Sequence, residues 1–198
     1  MPKNLLIGCA LKKEAAELRK KLGFNYPIEI TGLGPDRTLR NLEESFERLK
    51  PDALIFTGVA GQLNPECELG QILYPETWCL ESGTRFSVEP RFKSLLVERG
   101  IPIEGTGITI RKPVVREDAR LKLHAKTGAS ICDMESAAAM MIASSFGIPC
   151  IAPKIISDTS RSGMLGFYLH FARNMEKMAR ETAALAEIMV DLLERELV

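Results

Sequence analysis

The chain has 198 residues, 45% of them hydrophobic and 26% charged, which suits one domain able to bury a full core. Its 26 basic residues balance its 26 acidic ones, so no basic face for nucleic acid is expected, and no apolar run reaches the roughly 18 residues of a membrane span. Met1 to Asn4 leads into an apolar run too short for a signal peptide, so the expectation is a cytoplasmic protein. In chain order, Leu5 to Cys9 reads as a buried strand. Leu11, Ala15, Leu18 and Leu22 then recur at helical spacing up to Gly23; Glu14 reads on spacing alone as a surface glutamate, although near the helix start it would also face the carboxyl edge of that strand. Ile28 to Thr31 predicts a short strand and Gly32 to Pro35 a turn. Asp36 can cap a helix running to Lys50, with Leu39, Leu42, Phe46 and Leu49 on one face.

Ala53 to Phe56 predicts a further buried strand. It runs into Thr57-Gly58-Val59-Ala60-Gly61-Gln62-Leu63, read as a glycine loop in which backbone can approach a ligand, or as a plain turn. It is neither a Walker loop nor a dinucleotide fingerprint. Gly70 to Tyr74 and Thr77 to Leu80 predict strands broken by Pro75, followed by a turn at Glu81 to Arg85. Helices are expected over Pro90 to Arg99 and Glu117 to Lys126, each closed by a glycine, with a strand over Ile103 to Ile110 between them.

Ala129 to Ser160 is the stretch around which the chain is organised, read as strand, helix, strand. Asp133 and Glu135 stand where a short apolar run becomes an alanine-rich helix, and Asp158 where the next apolar run ends. A carboxylate just past a buried strand lies at the carboxyl edge of a sheet, where open α/β folds bind ligands. The alternative for Asp133 and Glu135 is simple capping of the helix. A long helix is predicted over Phe167 to Leu197, its methionines filling core or interface. Strands and helices alternate throughout. The expected architecture is a three-layer α/β/α sandwich around a mixed, largely parallel sheet, one domain over residues 1–198.

Cys9, Cys67, Cys79, Cys132 and Cys150 are odd in number and show no zinc spacing. His124 and His170 read as ordinary helix residues. No metal or organic cofactor is expected.

Three segments together resemble the nucleoside phosphorylase and nucleosidase superfamily. Ile7 to Ala15 is similar to the opening of methylthioadenosine/S-adenosylhomocysteine nucleosidases. Thr57 to Leu63 with Leu69 to Leu73 is similar to the family's glycine loop and following strand. Cys132-Asp133-Met134-Glu135-Ser136, then Gly147-Ile148-Pro149 and Ile155-Ile156-Ser157-Asp158, is the most specific match; with Lys126 to Ala129 it also resembles the hopanoid-associated phosphorylase branch. The resemblance implies cleavage of the N-ribosidic bond of a purine nucleoside, adenine-type and 5′-substituted. Asp158 would protonate the leaving base, with Ser157 orienting it; Glu135 would stabilise the ribosyl cation and bind its hydroxyls, with Met134 against the sugar; Glu14 would activate water. Val59, Ala60 and Gly61 would lie along base and sugar, and Thr109 and Ile110 would line the base, while Asp133 is expected to be structural.

Lys12, Lys13 and Lys154 depart from the nucleosidase pattern, and Pro153 is foreign to a central strand. Many phosphorylases of the superfamily carry Arg and Ser or Thr where this chain has Phe56 and Val59, which disfavours a phosphate site and favours hydrolysis. Phosphorolysis with contacts from Arg37, Arg40 or Arg111 is the alternative, and a non-catalytic nucleoside-binding protein is a second one. Water or phosphate is the implied co-substrate, and a homodimer or larger homo-oligomer the implied assembly. The brief segment Arg161 to Gly166 suggests a short flap and an open pocket for a larger 5′ group.

Overall fold

A computed structural model describes residues 4–159 and 163–196, with side chains for 4–159 and 174–193. The run Leu5–Cys9 forms β1, buried at every position, as a strand without polar alternation should be. Helix α1 (Lys12–Leu22) turns Ala15, Leu18 and Leu22 inward and ends at Gly23, whose φ of 67° is open to glycine. Strand β2 (Ile28–Ile30) and helix α2 (Pro35–Leu49) follow. Gly34, not Asp36, is the cap of α2; Asp36 lies in the first turn and pairs with Arg111.

Strand β3 (Ala53–Phe56) passes through Thr57 into β4 (Gly58–Gln62). The stretch read as a glycine loop is therefore a strand. Its pairing with β11 (Lys154–Asp158) on one side and β9 (Ile131–Asp133) on the other imposes extended structure on residues that have little strand propensity. Strands β5 (Ile72–Leu73), β6 (Thr77–Leu80) and β7 (Arg85–Ser87) come next, and β7 replaces part of the expected turn. Helix α3 (Pro90–Glu98), β8 (Thr106–Thr109) and α4 (Glu117–Thr127) lie close to expectation, although the strand expected from Ile103 begins three residues later. Helix α5 (Ser136–Ser145), β10 (Cys150–Ile151) and α6 (Gly163–Glu196) complete the chain. Residues Arg161 and Ser162 of the expected flap lie outside the described residues, and Gly163 to Gly166 already belong to α6.

The strands order as β10-β3-β1-β2, all parallel, and as β5-β11-β4-β9-β8-β6-β7. Among the described residues six of the nine pairings are parallel; β5–β11, β4–β9 and β6–β7 are antiparallel, so the fold is mixed and largely parallel as expected. Two neighbouring strands cross from one sheet to the other: β3 into β4 through Thr57, and β10 into β11 through Ala152 and Pro153. Pro153 thus falls in the gap between ladders, where its missing N–H costs no strand pairing. The bend is buttressed by Trp78, fully buried, whose indole N–H donates to the Ala152 carbonyl at 3.2 Å. Its ring fills the space a Cβ on Gly107 would take, 2.6 Å away. Helices α1 and α6 pack together, as do α2 and α5. No helix among the described residues is long and apolar enough to cross a membrane.

Candidate active site

Glu14 stands at the third position of α1, and its carboxylate turns back to accept the Leu11 amide at 2.9 Å. This is the glutamate half of a capping box, and it folds the side chain inward against the exit of β1. Only 1% of the residue is exposed, so the surface position that spacing alone suggests is wrong: the bond to the Leu11 amide turns the side chain inward. Burial pushes its carboxyl up; Lys154 and the backbone amides of Leu11, Ala10 and Val59 pull the other way with smaller effect.

Asp133 and Glu135 leave β9 in different directions. Glu135 is the N-cap residue of α5 but its side chain makes no cap bond; the Asp133 carboxylate instead takes the amides at the helix start, Ser136 at 3.0 Å and Glu135 at 3.2 Å. It also accepts the Thr109 hydroxyl at 2.7 Å and meets the Lys154 ammonium at 3.4 Å. Glu135 reaches across to the start of α2, where the Gly34 amide donates to it at 2.8 Å. The φ of 98° at Gly34 is one that glycine adopts without strain, and it presents the amide to the carboxylate. The Glu135 carboxyl is pushed up to about 7, first by burial and then by the neighbouring Asp133, against the pull of Gly34 and Lys154. Capping therefore accounts for Asp133 and leaves Glu135 free for another task.

Lys154 opens β11 and is 2% exposed. Its ammonium lies 4.6 Å from the centre of the Phe56 ring. A Cβ on Gly58, its partner in β4, would come within 3.1 Å of Glu14 Oε1 and 3.3 Å of Lys154 Nζ, so both charges occupy the space that the glycine leaves. Lys154 is thus in contact with Asp133, and its charge is also felt by the Glu14 and Glu135 carboxyls.

Asp158 closes the same strand. Ser157 donates to its Oδ1 at 2.7 Å, and Arg120 of α4 donates to its Oδ2. A Cβ on Gly61 would lie 3.3 Å from Asp158 Oδ2 and 3.4 Å from both Arg120 Nη1 and Cys132 Sγ. Gly58 and Gly61 thus make room for the protein's own buried charges. Cys132 is pushed up to about 12, chiefly by burial, which leaves it an inert core thiol.

The structure brings Glu14 and Glu135 to Lys154 and places Asp158 at the far end of β11. Val59 is half-buried beside Glu14, Ala60 is buried with its carbonyl 3.2 Å from the Ser157 hydroxyl, and Met134 is half-buried after β9. Thr109 is committed to Asp133 and to the Ala137 amide at 2.8 Å, and Ile110 is core. Arg37, Arg40 and Arg111 are exposed, and Arg111 is held by Asp36 at 2.7 and 3.0 Å. None of the site acids lines the cleft of about 820 Å3 beside α3 and the end of α5, whose acids Asp52, Glu89 and Glu98 are exposed. Arg120 was not foreseen: α4 lacks a clear apolar stripe, so nothing in its pattern marks this arginine as the helix's buried residue.

The family model of the phosphorylase superfamily matches residues 27–194. No curated protein sequence matches the chain. Among solved structures, a mutant of the Helicobacter pylori methylthioadenosine nucleosidase with 5′-methylthioadenosine in its active site is 18% identical, with 96% of this chain and 99% of that one covered and a TM-score of 0.83. A mutant futalosine hydrolase of Helicobacter pylori is 17% identical, covers 95% and 98%, and has a TM-score of 0.83. The Campylobacter jejuni methylthioadenosine/S-adenosylhomocysteine nucleosidase is 18% identical, covers 97% and 99%, and has a TM-score of 0.80. At these identities the likeness is one of fold.

Proposed function

The chain belongs to the phosphorylase superfamily, and we propose that it is a nucleosidase that hydrolyses the N-ribosidic bond of an adenine-type, 5′-substituted purine nucleoside. The observation that carries this reading is the cluster of Glu14, Asp133 and Glu135 around a single buried ammonium. Three carboxylates facing one cation favour a substrate that becomes positive and repel phosphate. A glutamate whose proton affinity is raised by burial is a stronger base than an exposed one.

In this mechanism Glu14 takes a proton from water as its oxygen bonds to C1′. The C1′–N9 bond breaks and its electron pair passes into the purine, where Asp158 delivers a proton to N7. Glu135 lies along the ribosyl group, accepts its hydroxyls and offsets the positive charge that develops on it. Lys154 holds the acids together and Asp133 is structural, capping α5.

The adenine-type, 5′-substituted substrate rests on the resemblance and on the names of the methylthioadenosine nucleosidases that share the fold. The resemblance adds a homodimer or larger homo-oligomer, which light scattering checks. The test is base release from methylthioadenosine, S-adenosylhomocysteine, adenosine, inosine and futalosine, each with and without phosphate. Adenine release without phosphate supports the proposal. Release only with phosphate makes the protein a phosphorylase, and binding without release makes it a nucleoside-binding protein.

A further inference from the structure

The ion pair of Asp158 with Arg120 is buried on both sides, each side chain 3% exposed. The guanidinium is locked before it reaches the acid: Nε donates to the Val114 carbonyl at 2.7 Å and Nη1 to the Gln62 carbonyl at 3.0 Å. A planar fork fixed at two backbone carbonyls presents its remaining nitrogen in one direction, to Oδ2. Oδ1 has a different partner. The Ser157 hydroxyl, 2.7 Å from Oδ1, also lies 3.2 Å from the Ala60 carbonyl, and a hydroxyl has only one proton to donate. Ser157 can therefore turn to Ala60 when Oδ1 carries a proton. Arg120 has no such freedom, and a proton on Oδ2 would face its N–H.

We propose that Arg120 is a positioning residue that confines the transferable proton of Asp158 to Oδ1. The inference rests on the reading of Asp158 as the acid that protonates the base. In the step, the Oδ1–H bond breaks, an N7–H bond forms on the purine, and the C1′–N9 electron pair is taken up by the neutralised base. Ser157 swings its O–H from the Ala60 carbonyl to the bare Oδ1, and Arg120 stabilises the carboxylate left behind. Arg120 does not touch the substrate; it acts through Asp158.

The experiment compares Arg120→Met, Arg120→Lys, Asp158→Asn and the Arg120→Met/Asp158→Asn double variant, measuring kcat and KM for base release and the urea unfolding midpoint. The expected result is a loss of kcat of about 10²–10³-fold in Arg120→Met with KM within about 3-fold, because the interaction is felt in the transition state. The double variant should be no slower than Asp158→Asn alone, the non-additivity of residues that act as a unit. Arg120→Lys keeps the charge without the fork; it should lose about 10-fold or more in kcat while remaining folded, so the test survives if Arg120→Met does not fold. Wild-type kcat in folded Arg120→Lys, or losses from Arg120→Met and Asp158→Asn that multiply, would overturn the inference while leaving the nucleosidase reading intact. Wild-type kcat in Asp158→Asn would overturn both.

Discussion

The two ends of β11 carry buried charge in opposite states of balance. At its start, Lys154 faces three acids; at its end, Asp158 meets one guanidinium and one hydroxyl. A balanced buried pair is held in a single arrangement by its partners. At the crowded start of the strand, burial pushes the Glu14 carboxyl up, and burial first and the neighbouring Asp133 second push Glu135 up to about 7. A carboxyl poised near neutrality, as Glu135 is, can exchange a proton with a substrate or with water. In the proposed mechanism, water and sugar chemistry falls to one end of the strand and base chemistry to the other.

Replacing Glu14 by Gln strikes the unbalanced end hardest. Base release should fall about 10²–10⁴-fold, with the urea midpoint unchanged or raised, since a carboxyl penalised by burial has been removed. An unchanged rate would strip Glu14 of its role. Removing the shared cation is the next largest effect. Lys154→Met leaves Asp133 and its neighbours without their ammonium and should cost about 3–5 kcal/mol in urea unfolding, the expectation for breaking a buried pair from one side. A neutral result would show that the acids do not depend on Lys154.

The proton held by Glu135 gives a pH signature. Its folded value of about 7 lies above the ordinary 4.5, so the native state binds the proton more tightly than the unfolded one. Stability is then full below pH 4.5 and is lost as pH rises toward 7, by about 3 kcal/mol, with Glu14 adding in the same direction. Glu135→Gln should flatten that slope in denaturation curves taken across the window, and an unaltered slope would place the proton elsewhere. The smallest effect is expected at Arg111, exposed and paired with Asp36. Arg111→Ala should leave base release unchanged both with and without phosphate; a loss confined to the phosphate-containing reaction would revive the phosphorylase alternative.

What could be read in advance follows the range of the interactions involved. Strands β1 and β3 were legible because uninterrupted apolar runs have few other fates. The acids at 133, 135 and 158 stood out because each closely follows such a run, whereas spacing alone put Glu14 on the surface and only the resemblance singled it out. Strand β4 was not, because Gly58, Ala60 and Gly61 carry little propensity and are extended by their partners in β9 and β11. Spacing alone could not tell Asp133 and Glu135 apart as cap and free acid, since that depends on an amide 101 residues away at Gly34; only the resemblance separated them. Arg120 lay beyond reach for the same reason: its partner is 38 residues distant, and α4 holds several other basic residues.

The most direct test of the central claim is to run the cleavage of methylthioadenosine in heavy-oxygen water, with and without phosphate, and to locate the label. The account predicts the heavy oxygen on C1 of the released sugar at a rate that phosphate does not raise. A sugar 1-phosphate free of the label would contradict it.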